Sequence, residues 1–431
     1  MPSRGAHQLL LLQGGATLFP ALVEAMDAAR SVVHLETYIF EFSGSALTVA
    51  QALERAARRG VQVRLVIDGV GTPAVPAEWQ NRFAAAGVRW HTYAPLGRLG
   101  LLIPSRWRRL HRKLCVVDGV VGFCGGINLI DDLHDVALGR LAVPRLDFSL
   151  RVVGPLVQDM VETMEQLWWR LQAVRSARQR EFKAAWEALR AADHKDDLVQ
   201  LLAKLEQRSG LAWRARPGHA GSRDNEPAIG HLVASAEGVE GAHAALLLRD
   251  NVGHRHDIER AYLKAIGEAR HDIVIANAYF IPGRKLRRAL VLAVQRGVRV
   301  RLLVQGRYEN FMQYHAARPV YEPLLAAGIE IRAYAPSALH AKVAVIDRRW
   351  ATVGSTNLDP LSLLLAREAN VMSTDRRFAT LLHARLEALF TDQGQALDGH
   401  TLAQRSWGQR LADRVAFGLM RALLFLTGHR Y

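Results

Sequence analysis

HRKLCVVDGVVGFCGGIN at residues 111–128 and HAKVAVIDRRWATVGSTN at residues 340–357 are two copies of one phrase. Each reads His-x-Lys-x4-Asp, then a small-residue pair and an Asn. His111 and His340, Lys113 and Lys342, Asp118 and Asp347, and Asn128 and Asn357 are all separated by 229 residues. Repetition in register over such a stretch marks a duplicated unit. The apolar run Leu114–Val117 predicts a strand, along which side chains alternate between faces. His111 and Lys113 therefore share a face, as do His340 and Lys342. Asp118 and Asp347 have the opposite parity and fall at the strand ends, with Asp118-Gly119 predicting a two-residue hairpin turn.

The repeat extends outward from these phrases. VVHLETYIF (32–40) matches IVIANAYF (273–280), with Glu36 and Asn277, and Tyr38 and Tyr279, at equivalent positions. A helix then runs through Arg58-Arg59-Gly60 into VQVRLVIDG, and another through Gln295-Arg296-Gly297 into VRVRLLVQG. FAAAGVRWHTYAPL (83–96) and LLAAGIEIRAYAPS (324–337) each read as a helix end, a Gly stop and a strand. Alternating strands and helices with β-branched apolar runs predict an α/β protein: two α/β/α domains with mixed sheets, related by a pseudo-twofold axis, with the active site at their interface. The expected division is a first domain over 1–170, a charged helical and flexible linker over 171–245, a second domain over 246–395, and an amphipathic C-terminal segment over 396–431.

Two imidazoles in one cleft suit displacement at phosphorus, one attacking while the other handles the proton of the leaving group. Lys113 and Lys342 add positive charge, and Asn128 and Asn357 add neutral donors. Gly125-Gly126 and Gly354-Ser355 offer backbone amides to a phosphate. The residues alone predict a phosphodiester site.

His-x-Lys-x4-Asp is the signature of the phospholipase D superfamily, which the chain resembles over nearly its full length. LLQGGATLFPALVEAMDAARSVVHLETYIF, LLLRDNVGHRHDIERAYLKAI, IANAYFIPG and VGSTNLDPLSLLLAREANV are similar to bacterial cardiolipin synthases of the kind lacking N-terminal membrane spans. The resemblance implies transfer of a phosphatidyl group from one phospholipid to an alcohol of another, through a phosphohistidine. It implies His111 as nucleophile and His340 as general acid/base, with Asp147 and Glu368 orienting the imidazoles. Lys113, Lys342, Asn128 and Asn357, with Gly126 and Ser355, are then expected on the phosphate, and Asp118 and Asp347 bracing the motif turns within the catalytic set. No metal or other cofactor is expected, because histidines and lysines supply nucleophile and electrostatics. A phospholipase D hydrolase, an endonuclease of the same superfamily and a noncatalytic membrane-binding protein remain alternatives at this level.

Half of the 431 residues are hydrophobic, which excludes a disordered chain, and the formal net charge is +15. Such charge favours an acidic partner. The expected partners are an anionic phospholipid membrane and lipid substrates, with no nucleic acid and no obligate protein partner. Cys115 and Cys124, placed opposite Gly122 and Lys113 by the two-residue turn, do not face each other, and no disulfide is expected. No run reaches the roughly 18–20 apolar residues of a membrane span, so peripheral attachment on the cytoplasmic side of the inner membrane is expected. Two segments are candidates for that attachment. One is the insertion PLGRLGLLIPSRWRRL, with Leu99, Leu101, Leu102 and Ile103 ahead of Arg106, Trp107, Arg108 and Arg109, read as dipping into the headgroup boundary or as a loop folded over the domain's own core. The other is the C-terminal stretch Leu411–Tyr431, read as an interfacial helix or one docked on the protein's own core.

Overall fold

The computed structural model describes residues 4–97, 107–135, 139–178, 237–250, 253–307, 311–397 and 406–426. The chain divides into one unit of residues 1–161 and 236–431 and a second of residues 162–235. Of the second unit the described part is 162–178, within the helix Leu156–Arg178.

The first repeat supplies β1 (Arg4–Gln13), β2 (Val32–Thr37), β3 (Gln62–Asp68), β4 (Arg89–Tyr93), β5 (Arg109–Leu110), β6 (Lys113–Val117), β7 (Val121–Gly125), the small hairpin β8 (His134–Asp135) and β9 (Gly139–Arg140), and β10 (Phe148–Val153). The second supplies β11 (Glu237–Arg249), β12 (Asp272–Asn277), β13 (Arg299–Gln305), β14 (Glu330–Tyr334), β15 (Lys342–Ile346), β16 (Trp350–Gly354), β17 (Ala366–Ser373) and β18 (Gly394–Ala396). Both repeats enter one 16-stranded mixed sheet, in the order β18-β14-β13-β12-β15-β16-β17-β11-β1-β10-β7-β6-β2-β3-β4, with β5 joined to β17. Outward from the antiparallel β11–β1 pair, each strand meets its repeat equivalent, from β17 and β10 to β14 and β4. That palindrome is the expected twofold relation. The expected pair of separate sheets is one sheet, because β1 and β11 pair with each other and fuse the two halves.

Strands β6 and β15 are buried on both faces, which is why they run on from their lysines as unbroken apolar stretches. Helices cover them: Leu22, Leu53 and Phe83 pack with Val33, Val63 and Leu65 in the first repeat. Ile266, Leu290 and Val320 do so with Ile275 and Leu302 in the second. The predicted Gly stops are real. Gly87 and Gly328 follow the helices Ala77–Ala86 and Phe311–Ala326 at φ 87° and 90°, a left-handed backbone that glycine adopts without a Cβ clash.

Two expectations need correction, and a third lies mostly outside the described residues. The turn between β6 and β7 holds three residues, since Val117 pairs with Val121 and the Val120 N–H donates to the Val117 carbonyl. Cys115 therefore faces Phe123 and Cys124 faces Leu114; both thiols are buried and unbridged, and burial pushes them up, Cys124 to about 12. The linker expected over 171–245 is helix as far as 178 and strand β11 from 237, with 179–236 outside the described residues. Leu99 through Arg106 of the insertion also lie outside them, whereas Arg109 bonds the buried Asp68 at 3.0 Å and the Ala94 carbonyl at 2.8 Å. Among the described residues, no helix is long and apolar enough to cross a membrane.

Candidate active site

His111 and His340 stand just ahead of β6 and β15, each the fourth strand out from the seam between β1 and β11. Each is held there by the other repeat. The amides of His111 and Arg112 donate to the Arg367 carbonyl at 3.0 and 2.8 Å, next to the parallel pairing of β5 with β17. In mirror fashion, the His340 amide donates to the Leu146 carbonyl at 2.8 Å, and the Leu146 amide to the Ala338 carbonyl at 2.9 Å. The residues that follow these anchors are Glu368 and Asp147.

Both acids are buried. Glu368 receives His111 Nδ1 at 3.0 and 3.1 Å on its two oxygens, and Asp147 Oδ2 receives His340 Nδ1 at 2.6 Å. An Nδ1–H donated to a carboxylate fixes the tautomer and leaves Nε2 with its lone pair for a substrate. The rings are 15% and 19% exposed, so each reaches the surface only by an edge.

The lysines are more enclosed than the imidazoles. Lys113 Nζ donates to the His111 carbonyl at 2.7 Å, and Lys342 Nζ to the His340 carbonyl while lying 2.7 Å from His340 Nδ1 and 3.8 Å from Asp147. Nδ1 cannot both donate to Asp147 and accept from Lys342. The charged carboxylate is the stronger partner, and the His340 carbonyl already takes a lysine proton.

Charge crowding sets the proton affinities. Burial, then the charge of Lys342, brings Lys113 down to about 7. Burial pushes Asp147 up to about 6 against the pull of Lys342. His111 is lowered by burial and partly restored by Glu368. His340 is lowered further, by burial and then by Lys342, Lys113 and Arg145. The repulsion that His111 exerts on a protonated His340, and Lys342 on a protonated Lys113, puts both motifs in one electrostatic neighbourhood.

A pH dependence follows. Lys113 is charged below about 7 and neutral above it, so its attraction for an anionic diester fades as pH rises. kcat/KM for a soluble anionic phosphodiester reports the unliganded protein. It is expected to fall between pH 7 and 9; a flat profile over that range contradicts the assignment.

The remaining predicted residues divide. Asp118 accepts from the amides of Arg30, Ser31 and Val32 at 2.8–2.9 Å, and Asp347 from those of Arg270, His271 and Asp272 at the same distances. Burial pulls Asp118 up, but these bonds outweigh it and hold the carboxyl below its ordinary value. Seven steps of near-extended chain, about 23 Å, separate each aspartate from its histidine. They brace the turns and do not join the imidazoles. Each such bond contributes about 1.5–3 kcal/mol.

Gly126 and Ser355 also differ from expectation. Their amides are committed to the carbonyls of Phe148 and Ala369 at 2.8 and 3.0 Å. A Cβ on Gly126 would stand 2.3 Å from Asp147 Oδ1, so glycine leaves room for the acid. The Ser355 hydroxyl donates to Glu368 and accepts from the Ala369 amide. Asn128 Oδ1 accepts weakly from the Ile39 amide at 3.3 Å, and the buried Asn357 Oδ1 has no hydrogen-bond partner. Both side-chain amides thus retain capacity for a ligand.

Sequence reasoning missed Arg112, the variable residue between His and Lys. Its guanidinium is buried and forks onto Glu36, with Nη2 at 3.0 Å from Oε1. A lone Glu in the apolar run VVHLETYIF was the available signal, since a buried carboxylate needs a cation. Asn277 is structural, accepting from the Leu358 amide at 3.1 Å. Tyr38 belongs to the site: its ring meets His111 edge-on at 5.0 Å and lies under Lys113 Nζ at 5.4 Å. Among the described residues, no group of three or more His, Cys, Asp or Glu side chains is placed to hold a metal ion.

The family profile described as "Cardiolipin synthase, PLD-like domain" matches residues 22–135 and 262–390, more than half of the chain and one match in each repeat. The chain belongs to this family of phospholipase D-like cardiolipin synthases. Among family members, cardiolipin synthase B of Escherichia coli (strain K12) is 33% identical over 425 residues, spanning 99% of this chain and 90% of that protein. Cardiolipin synthase A of Pseudomonas aeruginosa (strain LESB58) is 28% identical over 91% of this chain and 68% of its own. In three dimensions the fold is similar to that of phosphatidylserine synthase from Haemophilus influenzae Rd KW20, with TM-score 0.65, 13% identity, and coverage of 99% of this chain and 96% of the other.

Proposed function

We propose that the protein is a phosphatidyltransferase that makes cardiolipin, with phosphatidylglycerol as donor and acceptor, by two displacements at one phosphorus. One observation carries this reading: each motif imidazole takes its buried carboxylate from the other repeat. That exchange supports a single centre with two histidines.

In the first displacement, His111 Nε2 forms a bond to the phosphorus of the donor and the bond to the headgroup glycerol oxygen breaks. His340 gives that oxygen a proton, and free glycerol leaves. In the second, a glycerol hydroxyl of another phosphatidylglycerol yields its proton to His340 and attacks the phosphorus. The P–N bond breaks, His111 is regenerated and cardiolipin is released. Asp147, raised to about 6, lets the Asp147–His340 pair hold the proton this requires, and an anionic diester beside it strengthens that hold. Glu368 keeps His111 oriented for attack. Lys113, Lys342, Asn128 and Asn357 balance charge on the nonbridging oxygens. The substrates place the protein at a lipid surface, and we assign it to the cytoplasmic face of the inner membrane as a peripheral protein.

Incubating purified protein with phosphatidylglycerol vesicles tests the reading. Cardiolipin and glycerol in equal amounts are expected. Phosphatidic acid as the main product makes the protein a hydrolase, and DNA nicking without lipid turnover makes it a nuclease.

A further inference from the structure

The C-terminal helix Trp407–Leu426 lies against the helix Phe311–Ala326. Its inner face is defined by Asp413, bonded to His315 Nδ1 at 2.6 Å, with Ala416 fully buried and Phe417 packed on the core of the second repeat. The outer face is apolar where a solvent-facing helix is ordinarily polar. Trp407 is 79% exposed, Leu411 46%, Val415 48% and Leu419 56%. Recurring every fourth residue, they form a stripe about 18 Å long on one side of the helix. Arg410 and Arg414 are exposed beside it. The helix has one acidic residue, Asp413, and that one is turned inward. The exposed side of the helix therefore combines apolar surface with arginines.

Position adds to this. The helix Phe311–Ala326 begins six residues after β13 ends at Gln305, whose side chain bonds both the amide and the carbonyl of Leu339, next to His340. The C-terminal helix is thus carried by an element that starts at the catalytic end of the sheet.

We infer that the stripe Trp407–Leu411–Val415–Leu419 docks the protein onto a bilayer rich in anionic phospholipid, the helix lying in the plane of the interface. The apolar side chains enter the headgroup–acyl boundary, with Trp407 at the rim, and Arg410 and Arg414 meet lipid phosphates. A second copy of this chain would cover apolar area too, but the flanking arginines would then face their own equivalents; a phosphate surface matches both features. The inference rests on the lipid-transferring role proposed above and supplies the surface through which that role is exercised.

The test uses the full chain and vesicles of phosphatidylglycerol with phosphatidylcholine, or of phosphatidylcholine alone, in flotation. Wild type is expected to float with the mixed vesicles and much less with phosphatidylcholine alone. Changing Trp407, Leu411, Val415 and Leu419 together to Ser is expected to weaken flotation at least tenfold. Turnover of a monomeric short-chain phosphatidylglycerol should stay within twofold of wild type. If the fourfold variant loses soluble turnover as well, Trp407→Ser and R410E/R414E carry the test at exposed positions: weakened flotation in both supports the docking face, and unchanged flotation in both overturns it. A fourfold variant that floats like wild type overturns it also, as does a wild-type dimer that this variant converts to monomer with vesicle binding intact. Wild type that floats but turns over no lipid would defeat the proposed activity and leave the docking face standing.

Discussion

Replacing His111 or His340 by Ala is expected to lower turnover of phosphatidylglycerol by a factor on the order of 10⁴ or more, with the fold intact. Each imidazole does something the other cannot do from its place. Without the nucleophile no phosphohistidine forms, and without the second histidine the departing glycerolate is not protonated and the incoming hydroxyl is not deprotonated. The double variant should be about as inactive as either single one, because residues acting in one step are not additive. The measurement is steady-state formation of cardiolipin and glycerol, alongside far-UV circular dichroism and thermal melting. Retention of half the activity in either variant would mean that each repeat works alone. A donor with a nitrophenolate leaving group separates the roles further: it needs no proton on departure, so His340→Ala should regain its first step and His111→Ala should not.

Glu368→Gln and Asp147→Asn carry the second large effect. Each change preserves size but turns an acceptor into a group that can present N–H to Nδ1, which favours the tautomer with its proton on Nε2. For a catalytic imidazole that loses its orienting carboxylate, about 10²–10⁴ in kcat is the expected loss. KM should move much less, because the acids orient imidazoles and do not touch the diester. Stability should hold, and for Asp147 it could rise, since burial already raises that carboxyl to about 6 and a neutral amide avoids the burial of charge. Asp147→Asn should also shift the pH profile of kcat, because the proton of the second step is held by the pair it forms with His340. An unchanged kcat with a lowered melting temperature would reduce both acids to packing.

Much of this was legible in the chain. The 229-residue offset revealed the repeat, the apolar runs its strands, and Gly87 and Gly328 its helix stops. Contacts decided by residues distant in sequence were harder. The β6–β7 turn read as a two-residue loop because Asp118-Gly119 is a strong local signal. The carboxylate of Asp118 instead gathers amides from Arg30 to Val32, more than eighty residues away, and the loop closes with three residues at φ values of 52° and 69° for its first two. Ser355 and Gly126 read as phosphate ligands because small residues beside a motif often are. Their actual neighbours approach from the adjacent elements, Glu368 from β17 and Asp147 from the residue just ahead of β10. The fusion of two sheets into one depends on β1 and β11, neither of which carries a motif. The C-terminal helix was ambiguous between core and interface because it carries two apolar faces, one packed on the second repeat and one exposed.

The most direct measurement is intact-protein mass spectrometry after rapid quenching of the enzyme with a nitrophenyl phosphatidyl ester. A single centre built from both repeats predicts no more than one phosphatidyl adduct per chain, on His111, absent from His111→Ala and accumulating in His340→Ala. Two adducts per chain, one on each histidine and each lost only with its own residue, would show two independent half-sites and contradict it.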